Sequence, residues 1–110
     1  MSEDLTTATC RAASPGEKPL EPAAADALLA CICGWERDGT EIHRLFRFAD
    51  YDETMAFVNA VAWISRRQDH HPELAVGYNR CRITYTTHAV GGLSRNDFIC
   101  AARVNALLGL

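Results

Sequence analysis

No stretch of the 110-residue chain approaches the ~20 consecutive apolar residues that a membrane-spanning helix needs, and none is expected to span a bilayer. The opening Met1-Ser2-Glu3-Asp4 has no basic run followed by an apolar one, so no secretory signal is expected and the protein is read as cytoplasmic. Excess positive charge is also lacking. The formal net charge is -3, which leaves no electrostatic case for binding nucleic acid directly. Neither a C-x2-C nor an H-x3-H spacing occurs, so no metal site is expected. There is no phosphate-binding glycine loop and no dinucleotide fingerprint. Cysteine is not scarce, but the five thiols are odd in number and mostly set in apolar patterns, as expected of reduced thiols rather than a disulfide framework.

An ordinary soluble composition is present, with 48% apolar and 23% charged residues, enough for one modest core. Residues 1–20, rich in Ser, Thr, Ala, Gly and Pro, have no period and read as a flexible tail, with one domain over residues 21–110. Pro22 suits the first turn of a helix whose apolar stripe is Ala25, Leu28, Leu29 and Ile32, stopped by Gly34. Asp38-Gly39 fits a type I′ hairpin turn before a strand over about residues 41–48. In that strand Ile42, Phe46 and Phe48 share a face with one exception, Arg44. Asp50 and Glu53 have capping-box spacing ahead of a second helix. Met55 to Ile64 is apolar except at Asn59, so this helix is expected to bury one face on the sheet and another on a second subunit.

Pro72 ends that pattern. A short strand over 74–78, a turn at Asn79-Arg80 and an alternating strand over 81–88 follow. Ser94 to Asp97 then has a capping-box layout at the start of a last helix. The order α-β-β-α-β-β-α predicts an α+β fold: a four-stranded antiparallel sheet with three helices on one face.

The chemistry is concentrated in histidine. Three of the four fall in Asp69-His70-His71-Pro72-Glu73 and Thr87-His88, a helix end and a strand end that one fold can bring together. Imidazole exchanges protons near neutrality, and two or three in one pocket can divide acid and base roles. No Ser or Cys has a base partner at motif spacing. Each histidine also has a plainer reading, as a loop or sheet-face residue, and spacing by itself rejects none of these.

Taken together, Asp69-His70-His71-Pro72-Glu73, Tyr78-Asn79, Ile83-Thr84, Thr87-His88, Gly92-Leu93-Ser94 and Asp97 resemble the pterin-4a-carbinolamine dehydratases over about residues 22–108. That family is also called 4a-hydroxytetrahydrobiopterin dehydratase, or dimerisation cofactor of a hepatocyte homeodomain factor. The resemblance implies the fold read above, dimers that extend the sheet, and tetramers built through the long helix. It implies a hydro-lyase that needs no cofactor. Its substrate would be the 4a-hydroxytetrahydropterin left by aromatic amino-acid hydroxylases, dehydrated to a quinonoid dihydropterin in tetrahydrobiopterin recycling.

By position, His70, His71 and His88 match the family's active-site histidines. Pro72 and Thr87 match residues lining the pterin site, and Ala89 and Val90 fall where the family offers mainly backbone. Asp69 and Asp97 are supporting residues, Asp97 as a helix cap with any catalytic part indirect. Arg66 departs from the family, which commonly has an acid four residues before the first motif histidine. A guanidinium facing His70 would disfavour its protonated ring. The alternative reading is therefore a weakly catalytic or non-catalytic relative, acting as a dimerisation cofactor or assembly module.

Overall fold

The structure is a computed structural model and describes residues 4–110. Helix α1 (Pro22–Leu29) is followed by strands β1 (Glu36–Asp38) and β2 (Glu41–Arg47), then helix α2 (Tyr51–Gln68). Strands β3 (Glu73–Val76) and β4 (Arg80–Tyr85) and helix α3 (Arg95–Leu107) complete the order. The sheet has four strands and every pairing is antiparallel, as the sequence pattern predicts, and the strands lie in the order β1-β2-β4-β3. Short 3-10 turns at Leu5–Thr7 and His88–Val90 add to the expected elements.

Alternation decides which face is buried. Ile42, Phe46, Cys81, Ile83 and Tyr85 project from β2 and β4 into the helix layer. There they pack with Phe57 and Val61 of α2 and with Phe98, Ala101 and Val104 of α3. Arg44 shares the inward face, and its guanidinium turns to the rim. It donates to the Cys33 carbonyl and, at 3.2 Å, to Asn105 Oδ1, and it lies over the Phe46 ring. Helix α1 ends at Leu29 with Ala30 as its C-cap, five residues before the expected stop at Gly34, and Ile32 is buried in the turn that follows. Gly34, beside the Arg44 guanidinium, takes φ 81°, a left-handed conformation that favours glycine.

The hairpin turn sits one residue later than Asp38-Gly39. Asp38 pairs with Glu41, so Gly39 and Thr40 are the central residues. Of these only Gly39 has a positive φ, 62°, the arrangement of a type II′ turn rather than I′. The last strand also stops earlier than the pattern suggests. It ends at Tyr85; Thr87 makes an isolated bridge to Gly92, and His88 opens a 3-10 turn instead of closing the strand.

Helix α2 starts as its residues dictate. The Asp50 carboxylate accepts from Glu53 N at 2.9 Å, while the Glu53 carboxylate reaches past the cap to Ala49 N at 3.2 Å. Its buried stripe is Thr54, Phe57, Val61 and Ser65, spaced three or four apart. The rest of the apolar run is less covered: Ala56 and Ala62 are exposed, and Trp63 is 58% exposed. Asp69 ends the helix in the left-handed conformation, φ 50°. That turn, rather than Pro72 itself, breaks the helix three residues before the proline.

Residues 4–20 depart from the expected flexible tail. Leu5 is only 2% exposed and joins the core, and the segment is tied down at several points. Arg103 Nη2 donates to the Ala8 carbonyl at 2.6 Å, and Cys10 N donates to Gln68 Oε1 at 2.9 Å. Asn96 clamps Arg11 from both sides: its Oδ1 accepts from Arg11 N and its Nδ2 donates to Arg11 O. Leu20 N donates to the Leu93 carbonyl. Composition hid this because the anchor is one leucine in a polar stretch, and most partners lie on the last helix.

Candidate active site

The site grows from the end of α2, the Thr87 bridge and the start of α3. The left-handed turn at Asp69 swings His70 back over the helix end, where its backbone N donates to the Ser65 carbonyl at 3.2 Å. The His70 ring stacks on Tyr85, with centroids 5.8 Å apart and planes 9° apart. Its Nε2 lies 2.6 Å from Asp97 Oδ1, and only 12% of the side chain is exposed.

Asp97 is fully buried and holds three partners. Oδ1 meets His70, while Oδ2 accepts from the Thr87 hydroxyl at 2.8 Å and from Ser94 N at 2.9 Å. The last contact is the helix cap expected from the sequence: with the Ser94 side chain accepting from the Asp97 backbone N–H, it forms the capping box of α3, and Asn96 N also donates to Ser94 Oγ. Thr87 Oγ1 and Ser94 Oγ are also within 2.8 Å of each other. A carboxylate with two hydrogen-bond donors behind it and an imidazole in front favours the imidazolium form by charge-assisted bonding. Burial pushes the His70 ring down, but Asp97, with Cys10 and Asp69 adding smaller charges, outweighs it, and the net direction is upward.

A cavity of about 450 Å³ opens beside this pair, walled by Cys10, Gln68, Asp69, His70, Thr87 and Ala89 among others. The expected site residues divide around it. His70, Asp69, Thr87 and Ala89 are on its wall, and Asp97 stands behind His70. His71 and His88 are exposed, each one residue beyond an anchored neighbour, so that consecutive Cα atoms put them ~3.8 Å along the chain from His70 and Thr87. Among the described residues neither makes a side-chain hydrogen bond, and neither lines this cavity. Pro72 is half-buried after His71. Val90 is buried, with its N donating to the Thr87 carbonyl, so it shapes the turn rather than the cavity wall.

For Arg66 the structure gives the solvent-facing placement, one of the two arrangements open to it. It is exposed on α2, while the charges that act on His70 come from Asp97, Cys10 and Asp69, and the ring moves up rather than down. Four residues of the site have no chemical role assigned from the sequence: Tyr85 under the ring, Ser94 beside Thr87, and Cys10 and Gln68 on the wall. Tyr85 was legible only as a core position. The N-terminal wall had no signal, because its segment reads as a tail.

Residues 18–107 match the family model described as pterin 4 alpha carbinolamine dehydratase. A protein of Nitrosomonas eutropha with the provisional name pterin-4-alpha-carbinolamine dehydratase is 53% identical over 106 residues, covering 96% of this chain and 94% of its own. One from Nitrosospira multiformis, similarly named, is 50% identical over 105 residues, covering 96% of this chain and 93% of its own. Among solved structures, a transcriptional coactivator/pterin dehydratase from Brucella melitensis superposes with a TM-score of 0.80 at 30% identity, over 84% of this chain and all of that one. A pterin dehydratase-like protein identified as a RuBisCO assembly factor in the alpha-carboxysome gives a TM-score of 0.57 at 29% identity, over 68% of this chain and 87% of that one.

Proposed function

The chain belongs to the pterin 4 alpha carbinolamine dehydratase family, and from that premise we propose that it dehydrates a 4a-hydroxytetrahydropterin to the quinonoid dihydropterin by histidine acid–base catalysis. The observation that carries the reading is the His70–Asp97 pair beside a cavity of about 450 Å³, within the ~300–1,000 Å³ of small-molecule sites. The dehydration needs two proton movements. The C4a–O bond breaks as the hydroxyl leaves with a proton, and N5 gives one up. His70, held in its protonated form by Asp97, suits the acid: Nε2–H stays with Asp97, and the other ring nitrogen, Nδ1, serves the departing hydroxyl. His71 and His88, both exposed, take the N5 proton and pass it to solvent. Thr87 and Ala89 face the substrate from the cavity wall, while Val90 shapes the turn behind them and Pro72 sets the chain direction after His71. No cofactor enters these steps, and a place in tetrahydrobiopterin recycling follows from the substrate.

Oligomerisation belongs to the same reading. Leu74 and Val76 pair with Ile83 and Cys81, on the inward face, yet are 37% and 45% exposed at the β3 edge. That edge and the α2 face around Trp63 suit a homodimer or homotetramer in the cytoplasm, with the uncovered apolar surface as contact. The described chain has no helix long and apolar enough to cross a membrane.

The test is turnover of carbinolamine generated in situ by an aromatic amino-acid hydroxylase. Removing the principal proton-transfer histidine should cost roughly 10²–10⁴-fold. A folded His70, His71, His88→Ala triple variant with full activity would end the assignment. A second reading, a non-catalytic assembly module, is favoured by the likeness to the assembly factor and by Arg66 in place of the family's usual acid. It predicts no turnover by the wild-type chain.

A further inference from the structure

Cys10 and Cys100 are 90 residues apart in sequence, and their Sγ atoms are 3.6 Å apart. Cys10 is half-buried and lines the His70 cavity; Cys100 is fully buried in α3. We propose that these two thiols are a peroxide-reactive pair that closes to a disulfide on the wall of the His70 cavity. Neither the acid–base chemistry of the histidines nor the helix caps use them.

The placement is built rather than incidental. Gln68, Asn96 and Arg103 hold residues 8–11 through backbone hydrogen bonds, which fixes Cys10 against α3. The Cys10 thiol also lies 3.7 Å from the Asn96 carbonyl, to which it donates a hydrogen bond, so a contact to α3 fixes the sulfur itself. A disulfide has an S–S distance of ~2.05 Å, so closure needs the sulfurs to approach by only ~1.5 Å. The moving part is the N-terminal segment, whose side chains are largely at the surface, rather than the packed helix. The other thiols lack this arrangement: Cys81 is buried in β4, while Cys31 and Cys33 lie in the turn after α1 and make no sulfur–sulfur contact.

The two sulfurs have different roles. The hydrogen bond from Cys100 draws the Cys10 thiol below its ordinary range; burial opposes this, and His70 and Arg103 add to it. The Cys100 thiol is pushed the other way, first by that same hydrogen bond and then by burial. Cys10 is half-buried on the cavity wall, where a peroxide can reach it, and Cys100 is fully buried behind it, so Cys10 is the attacking thiolate and Cys100 the resolving thiol, in the same direction as the shifts. The Cys10 thiolate attacks a hydroperoxide, forming an S–O bond as the O–O bond breaks, and the released alkoxide or hydroxide takes a proton. Cys100 then forms the S–S bond and displaces the sulfenic oxygen, which leaves as water with the Cys100 proton. Two thiols are oxidised by two electrons, and one peroxide is reduced.

The experiment treats the reduced full-length protein with hydrogen peroxide and maps its peptides without reduction. The expected product has lost two hydrogens, carries a Cys10–Cys100 bridge and returns to the starting mass with dithiothreitol. In Cys100→Ser, Cys10 should stop at the sulfenic acid and be trapped by dimedone; in Cys10→Ser, Cys100 should stay unmodified. If the serine destabilises α3, Cys100→Ala gives the same reading, and the wild-type map stands without either variant. A first bridge at Cys31, Cys33 or between chains, or direct passage of Cys10 to the sulfinic acid with Cys100 still a thiol, overturns the proposal. Absence of any bridge overturns it as well, and because the peptide map needs no turnover, its failure is distinct from that of the proposed reaction.

Discussion

Replacing Asp97 isolates what one buried carboxylate does for both the fold and the histidine. It has no exposed surface and takes hydrogen bonds from His70, the Thr87 hydroxyl and Ser94 N. Asp97→Asn keeps the shape and one carbonyl oxygen, which can still serve Ser94 N and Thr87. It removes the charge in front of His70. A bond to a charged group is worth about 1.5–3 kcal/mol and a neutral one about 1, so this exchange should cost about 1–2 kcal/mol near pH 6. Asp97→Ala also loses the cap, about 1 kcal/mol, and leaves a buried N–H and hydroxyl short of a partner, for a total of about 3–5 kcal/mol.

The pH dependence distinguishes a charged pair from a neutral hydrogen bond. His70 in the folded protein titrates above its unfolded value of about 6.5. Its contribution is therefore complete below about pH 6.5 and is lost as pH rises through the folded-state value. In Asp97→Asn the upward push is gone, so the stability gap from wild type should be widest at the acidic end of about pH 5–8 and narrow towards the alkaline end. Urea unfolding at fixed protein concentration, followed by tryptophan fluorescence, measures that gap, and NMR titration of His70 should show a lower midpoint in the variant. A gap that stays constant with pH, together with an unchanged His70 titration, would refute the charged pair.

Leu5→Ala should cost about 2–5 kcal/mol if residues 4–20 are part of the core, and almost nothing if they are a loose tail; denaturant unfolding decides. Trp63→Asp should yield monomers by light scattering, because an interface would have to bury an unpaired charge, whereas Val58 is a poorer target since it already packs on the monomer's own core. A wild-type chain that is monomeric at micromolar concentration would remove the interface altogether. Arg66→Glu should leave the His70 titration close to wild type, since Arg66 is exposed and solvent screens it; a clear upward move would restore a role for that position.

The fold was legible because its signals are local and periodic. Alternation marks Ile42, Phe46, Cys81, Ile83 and Tyr85 as one face, and two acid-bearing caps mark where α2 and α3 begin. The departures arise where a tertiary partner decides. His88 looks like the next residue of a strand until the Thr87–Gly92 bridge turns the chain into a 3-10 turn. Arg44 breaks an apolar face on paper, and the structure answers with the Cys33 carbonyl and Asn105, 61 residues away. Leu5 has no periodic neighbours, so only its burial reveals that it belongs to the core.

Asp97 shows why a site can be legible in residues yet hidden in roles. Ser94-x-x-Asp97 is readable as a helix start, since that spacing alone returns a side-chain oxygen to the cap nitrogen. The cap, however, occupies Oδ2 and leaves Oδ1 uncommitted. A second lone carboxylate oxygen with no exposure needs a partner, and no short-range pattern says which. His70 fills that position only because the left-handed turn at Asp69 folds it back from α2 and Tyr85 supports its ring. The same atom that satisfies the buried carboxylate thus sets the proton affinity of the imidazole, so stability and acid strength are linked at one hydrogen bond and should change together in Asp97→Asn.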